Sequence, residues 1–102
     1  MARMRIAIPV GAVVPLSRSG ASPEAVAYCV VAVRGGGTVY LLATATATPP
    51  IFEAMLRDGT PYQQGRGDRI TLADDFPGAV VDFGYLWAAT DGDHAEVIAD
   101  HA

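Results

Sequence analysis

Residues 26–48 constrain what this 102-residue chain can fold into more than any other stretch. The run is Val26-Ala27-Tyr28-Cys29-Val30-Val31-Ala32-Val33-Arg34, then Gly35-Gly36-Gly37, then Thr38-Val39-Tyr40-Leu41-Leu42-Ala43-Thr44-Ala45-Thr46-Ala47-Thr48. β-Branched and aromatic residues of this kind suit a pleated strand. A glycine loop between two such runs reads as a β-hairpin. The pattern therefore predicts a long antiparallel hairpin with strands over residues 26–34 and 38–47. With Arg34 opposite Thr38, Val33, Val31, Cys29 and Ala27 lie beside Val39, Leu41, Ala43 and Ala45. That face is wholly apolar and belongs to the core.

The other face carries Tyr28, Val30, Tyr40 and Leu42. A sheet with one wet face alternates apolar and polar residues, and this second face is too apolar for water. Tyrosine joins an apolar body to a polar tip and recurs at protein interfaces. Tyr28, Val30, Tyr40 and Leu42 are therefore the candidate partner contacts, in competition with a cover supplied by a helix of the same chain. A second ambiguity is local. Ser22-Pro23-Glu24 is a helix-start signature, so residues 23–34 read as strand or helix. Val30, Val31 and Val33 favour the strand, because β-branched side chains lose rotamer freedom in a helix.

Elsewhere the punctuation is clearer. Ile6 and Ile8 alternate with Arg5 and Ala7, which predicts a strand over residues 3–8. Pro9 and Pro15 make residues 1–16 an extended arm or edge strand. Residues 48–59 predict a short helix, with Thr48 as cap, Pro49 in the first turn, Gly59 at the end, and Glu53 four residues before Arg57. Ile70 and Leu72 mark a short strand. Residues 74–83 predict a second helix ending near Phe83, in competition with a strand over 79–90; Tyr85 to Thr90 is a strand on either reading. The fold class expected is α+β: one domain over residues 1–102, a small antiparallel sheet or partial barrel with one or two short helices.

Charge is unevenly placed. Residues 1–51 hold four arginines against Glu24 alone, whereas residues 52–102 hold three arginines against ten acids. A basic start and an acidic end attract one another between neighbouring copies, or else residues 91–102 form a solvated acidic tail. No basic stripe exists to neutralise phosphates, so nucleic acid is not an expected partner. The apolar stretch after Met1 is too short for a membrane span and lacks the form of a signal peptide. Cytoplasmic synthesis is expected.

Catalytic and metal chemistry find little to stand on. Cys29 is the sole cysteine and sits mid-strand, where a buried structural thiol is expected and not a nucleophile. Gly35-Gly36-Gly37 is followed by a strand, not by the helix amino terminus that a phosphate loop requires. Asp91, Asp93, His94, Glu96, Asp100 and His101 match no calcium or zinc spacing, although a helix would align His94 with His101. Asp74 and Asp75 read as helix caps, and Arg66-Gly67-Asp68 as a glycine turn. The expectation is no enzyme, no cofactor and no bound metal.

One resemblance adds to this reading. Asp58-Gly59-Thr60-Pro61-Tyr62-Gln63-Gln64-Gly65, Gly67-Asp68-Arg69-Ile70-Thr71-Leu72, Asp75-Phe76-Pro77 and Phe83-Gly84-Tyr85-Leu86 together span about a third of the chain. Their order is similar to a pattern in small proteins of tailed-phage heads, in which a Gly-x-x-Tyr-x-x-Gly turn precedes a Gly-Asp-x-Val/Ile-x-Leu strand, a short helix and a closing Gly-x-Leu. The resemblance implies a virion structural component, a capsid decoration or head-completion protein. Its partners would be its own copies or a capsid shell. It implies no catalytic residues. The competing expectation is a small acidic inhibitory or regulatory protein that binds a host enzyme.

Overall fold

The computed structural model describes residues 2–9, 11–16, 23–26, 28–34, 38–62, 68–78, 80, 84–90 and 95–101. The elements follow one another as β1 (Ala2–Ile8), β2 (Val14–Pro15), β3 (Tyr28–Arg34), β4 (Val39–Thr44), α1 (Phe52–Asp58), β5 (Thr60–Tyr62), β6 (Asp68–Thr71), α2 (Leu72–Asp75), β7 (Tyr85–Thr90) and β8 (Ala95–His101). They build two four-stranded antiparallel sheets, ordered β1-β8-β3-β6 and β2-β7-β4-β5. With two short helices, this is the mixed α+β class that the sequence predicts.

The two sheets face one another across a single core. Ile6 and Ile8 of β1, Cys29, Val31 and Val33 of β3, and Ile70 of β6 meet Val39, Leu41 and Ala43 of β4 and Leu86 and Ala88 of β7. Alternation sets this directly, because residues two apart share a face. Along β3, Cys29, Val31 and Val33 are buried while Tyr28, Val30 and Ala32 are half-buried; β4 repeats the pattern with Val39, Leu41 and Ala43 buried. Burial of each such side chain is worth about 1.5–3 kcal/mol against leaving it exposed.

The expected hairpin does not form. β3 and β4 both exist near their predicted bounds, but they belong to different sheets. β3 pairs with β8 and β6, setting Val31 opposite Ala99 and Cys29 opposite Ile70. β4 pairs with β7 and β5, setting Leu41 opposite Ala88 and Tyr40 opposite Pro61. The chain crosses from one layer to the other between them. Their apolar stripes therefore meet across the core and not side by side. The pleat dictates which residues face inward, and both arrangements satisfy that demand. Gly35, Gly36 and Gly37 lie outside the described residues. Residues 28–34 are strand and not helix, and Val26 joins the fold by a reciprocal pair of backbone hydrogen bonds with Gly84, at 2.8 and 3.1 Å.

Residues 95–101 are the second correction. They form β8, an interior strand between β1 and β3, where an acidic tail was expected. The reason lies in the register. Arg3 falls opposite Asp100 on β1, and Arg34 falls opposite Glu96 on β3. The basic start and the acidic end thus neighbour one another inside one sheet of one chain. β1 and β2, both from residues 1–16, lie at sheet edges.

The helices are shorter than predicted. α1 starts at Phe52, after Pro49 and Pro50, with Ile51 as N-cap and no side-chain cap, so Thr48 does not serve there. Gly59 ends it by donating its N–H to the Met55 carbonyl at 2.9 Å. A Cβ at Gly59 would strike the Met55 carbonyl oxygen and lie 3.1 Å from the Tyr40 Cβ, so the close approach of helix end to strand demands glycine. α2 covers residues 72–75; of the predicted span 74–83, residues 76–78 and 80 are not helical, and 79 and 81–83 lie outside the described residues. The Asp75 carboxylate accepts the Thr71 N–H at 2.9 Å, reaching back across the start of the helix as a capping residue does.

Candidate interaction face

The four proposed contacts, Tyr28, Val30, Tyr40 and Leu42, do not form one face. Tyr28 and Val30 lie on the outer side of the β1-β8-β3-β6 sheet, and Tyr40 and Leu42 on the outer side of the β2-β7-β4-β5 sheet. The two pairs are on opposite sides of the sandwich. The error follows from the hairpin: strands of one ribbon share an outer face, whereas strands of opposed layers do not.

Tyr40 and Leu42 are covered from within. α1 packs on β4 and β7. A second apolar cluster forms there from Met55, Trp87 and Ala89, with Val13, Leu42, Phe52 and Tyr85 against it. The Trp87 indole Nε1–H donates to Thr44 Oγ1 at 2.8 Å, and the Thr44 hydroxyl donates to the Thr46 carbonyl at 2.7 Å. This polar relay satisfies the buried ring nitrogen, which a buried tryptophan requires. Leu86 to Thr90 are accordingly buried on both faces of β7. Thr90, fully enclosed, donates its hydroxyl to the Thr38 carbonyl at 2.8 Å.

Tyr28, Val30 and Ala32 stand in a different setting. Among the described residues, α1 rests on β4 and β7 and α2 on β6, and neither packs on β3 in a comparable way. The register lays Thr71 opposite Tyr28, Arg69 and Asp100 on either side of Val30, and Ile98 opposite Ala32. An apolar centre flanked by charged positions is the composition of an interface core with a polar rim. Two of the four predicted residues, Tyr28 and Val30, thus lie on a face where, among the described residues, neither helix packs as α1 does on β4 and β7. Ala32 was missed, although its place two residues beyond Val30 was readable from alternation.

Among the described residues no other group assembles a site. Cys29 is wholly buried among apolar side chains. Among the described residues, no cluster of three or more His, Cys, Asp or Glu could hold a metal ion. His101 belongs to a strand, so the helix that would have aligned it with His94 does not form; Asp91, Asp93 and His94 lie outside the described residues. So do Arg66 and Gly67, while Asp68 begins β6. Arg57 pairs with adjacent Asp58, at 3.0 Å between Nη2 and Oδ2, in place of the expected Glu53. The hydrogen bond from Arg57 holds the Asp58 carboxyl below its ordinary value, and the same contact raises the guanidinium. Both side chains are well exposed, so this is surface electrostatics only. Among the described residues, no helix is long and apolar enough to cross a membrane.

Compared with known proteins, the chain matches no family model, no curated protein and no solved structure.

Proposed function

We propose that this chain is a structural protein of a virion, a capsid decoration or head-joining subunit that acts through protein–protein contact. The observation that carries the reading is the contrast between the two outer faces. One has the chain's own α1 packed on it, and the other presents half-buried Tyr28, Val30 and Ala32 on β3, where, among the described residues, neither helix packs as α1 does on β4 and β7. An apolar sheet centre with charged positions around it gains free energy when another polypeptide covers it. The likeness of residues 58–86 to small tailed-phage head proteins points to a shell as that polypeptide. In the infected cell the protein would be made in the cytoplasm and end in the particle.

The test is sedimentation of the purified chain, alone and mixed with phage heads assembled without it. The expected result is stoichiometric binding to heads that Val30→Glu abolishes while the folded state survives. A chain that stays monomeric, ignores the heads and is unaffected by Val30→Glu overturns the proposal. Stoichiometric capture of one host enzyme, without sedimentation, would replace it with the inhibitory reading.

A further inference from the structure

We propose that the outer edge of β1 is a strand-addition site for an extended acidic segment of another protein. This edge is separate from the Tyr28 face, and the inference does not rest on the virion reading.

Among the described residues four strands lie at sheet edges, and three of them are short. β2 has two residues and includes Pro15, β5 has three and includes Pro61, and β6 has four. Short edges and edge prolines are the usual means of preventing unwanted pairing, because an edge strand exposes a row of backbone donors and acceptors. β1 departs from this. It runs for seven residues, Ala2 to Ile8, without a proline. All seven are in register with β8, which holds the strand extended along its whole length. Among the described residues, no strand pairs with its other side. In an antiparallel ladder, the peptide groups that do not bond one neighbour point toward the other side, so β1 offers a preformed ladder to an incoming strand.

The sequence of β1 decides what that strand is. A second copy is disfavoured. Two β1 strands paired antiparallel over their full length about a two-fold axis set Arg5 opposite its own counterpart. Shifting by one residue pair in one direction sets Arg3 against Arg5 twice, and in the other it shortens the ladder to residues 4–8 and sets Arg3 against Pro9, which has no N–H to donate. Like charges directly opposite destabilise a strand pair. β1 carries no acid to relieve them. A partner strand with Asp or Glu at two alternate positions converts both repulsions into attractions. Within the sheet, the register neighbour of Arg3 is Asp100, whereas that of Arg5 is Ile98. Arg5 is therefore the position that most strongly selects an acid. Backbone bonds supply affinity in such additions, and the alternate side chains supply selectivity.

The probe is a capped hexapeptide alternating valine and glutamate, compared with the same peptide carrying lysine for glutamate and with an N-methylated glutamate peptide. Binding is read by fluorescence anisotropy, and the site by amide hydrogen exchange of the intact chain. The glutamate peptide is expected to bind about tenfold more tightly than the lysine peptide, with the preference weakening in salt. It should slow exchange within residues 2–8, and N-methylation should abolish binding. Arg5→Glu, with its fold verified by circular dichroism, should reverse the preference. Equal affinity for the two peptides, absence of protection within residues 2–8, or protection at Tyr28 and Val30 instead would overturn the proposal. The peptide arms keep the test decisive even if Arg5→Glu fails to fold.

Discussion

The two sheets of this protein begin from similar material and end differently. β3 and β4 are both apolar on two faces, and both supply three alternate side chains to the shared core. On β4 the second face is half-buried as well, and there the chain's own α1 brings Met55 and Phe52 against Leu42 and Trp87. On β3 the second face carries half-buried Tyr28, Val30 and Ala32, with neither helix packed over it to a similar extent. Excess hydrophobicity on a strand is thus not one signal. In one layer it records packing against α1, and in the other it leaves half-buried side chains on which, among the described residues, neither helix packs in the same way.

The largest effect that would break this contrast is at Trp87, which is 2% exposed. Trp87→Ala should cost about 3–5 kcal/mol in denaturant unfolding, since it empties the space beneath α1 and removes the bond to Thr44. Val30→Ala should cost about 1 kcal/mol or less. Equal costs would show that the two outer faces are equally closed.

Gly59→Ala should cost about 1–3 kcal/mol, because the added methyl must displace the end of α1 from β4. A neutral result would mean that the helix does not rest on Tyr40 as described. Thr90→Val keeps the shape and removes the hydroxyl bond to Thr38, so a loss of about 1–2 kcal/mol is expected. The comparison is sharpened at the other layer by Tyr28→Arg, which should leave thermal unfolding nearly unchanged while abolishing head binding.

The smallest effect concerns the exposed pair at the end of α1. Arg57 lowers the Asp58 carboxyl, so whatever the pair contributes is present above the ordinary carboxylate value and is lost as pH falls through the lowered one. Arg57→Ala should move the Asp58 titration upward in an NMR pH series without a detectable change in unfolding. A clear loss of stability would show that the cover over β4 depends on this pair.

Much of the fold was legible in the sequence, and what was not lies in strand pairing and in the acidic end of the chain. The inward residues Cys29, Val31, Val33, Val39, Leu41 and Ala43 follow from period-two alternation, and Tyr85 to Thr90 reads as a strand on composition. The pairing of β3 with β4 did not follow, although both strands were visible. β8 is disguised in the sequence because Glu96 and Asp100 read as a solvated tail, although Ala95, Val97 and Ala99 alternate as a strand should. The candidate face was half legible for the same reason: Tyr28 and Val30 kept their place once β3 was extended, whereas Tyr40 and Leu42 were joined to them only through a hairpin that does not form.

The sequence alone determined which side of each strand turns inward, because side chains alternate along a pleated backbone whatever lies beside it. It also set the carboxyl end of α1 through Gly59. Only the tertiary structure decided which strands share a ladder, which outer face receives α1, and that the acidic residues 95–101 run between the arginines of β1 and β3. The physical reason is that ladder hydrogen bonds join peptide groups common to every residue. Alternation therefore selects a face, and the choice of neighbour falls to the packing of the whole chain.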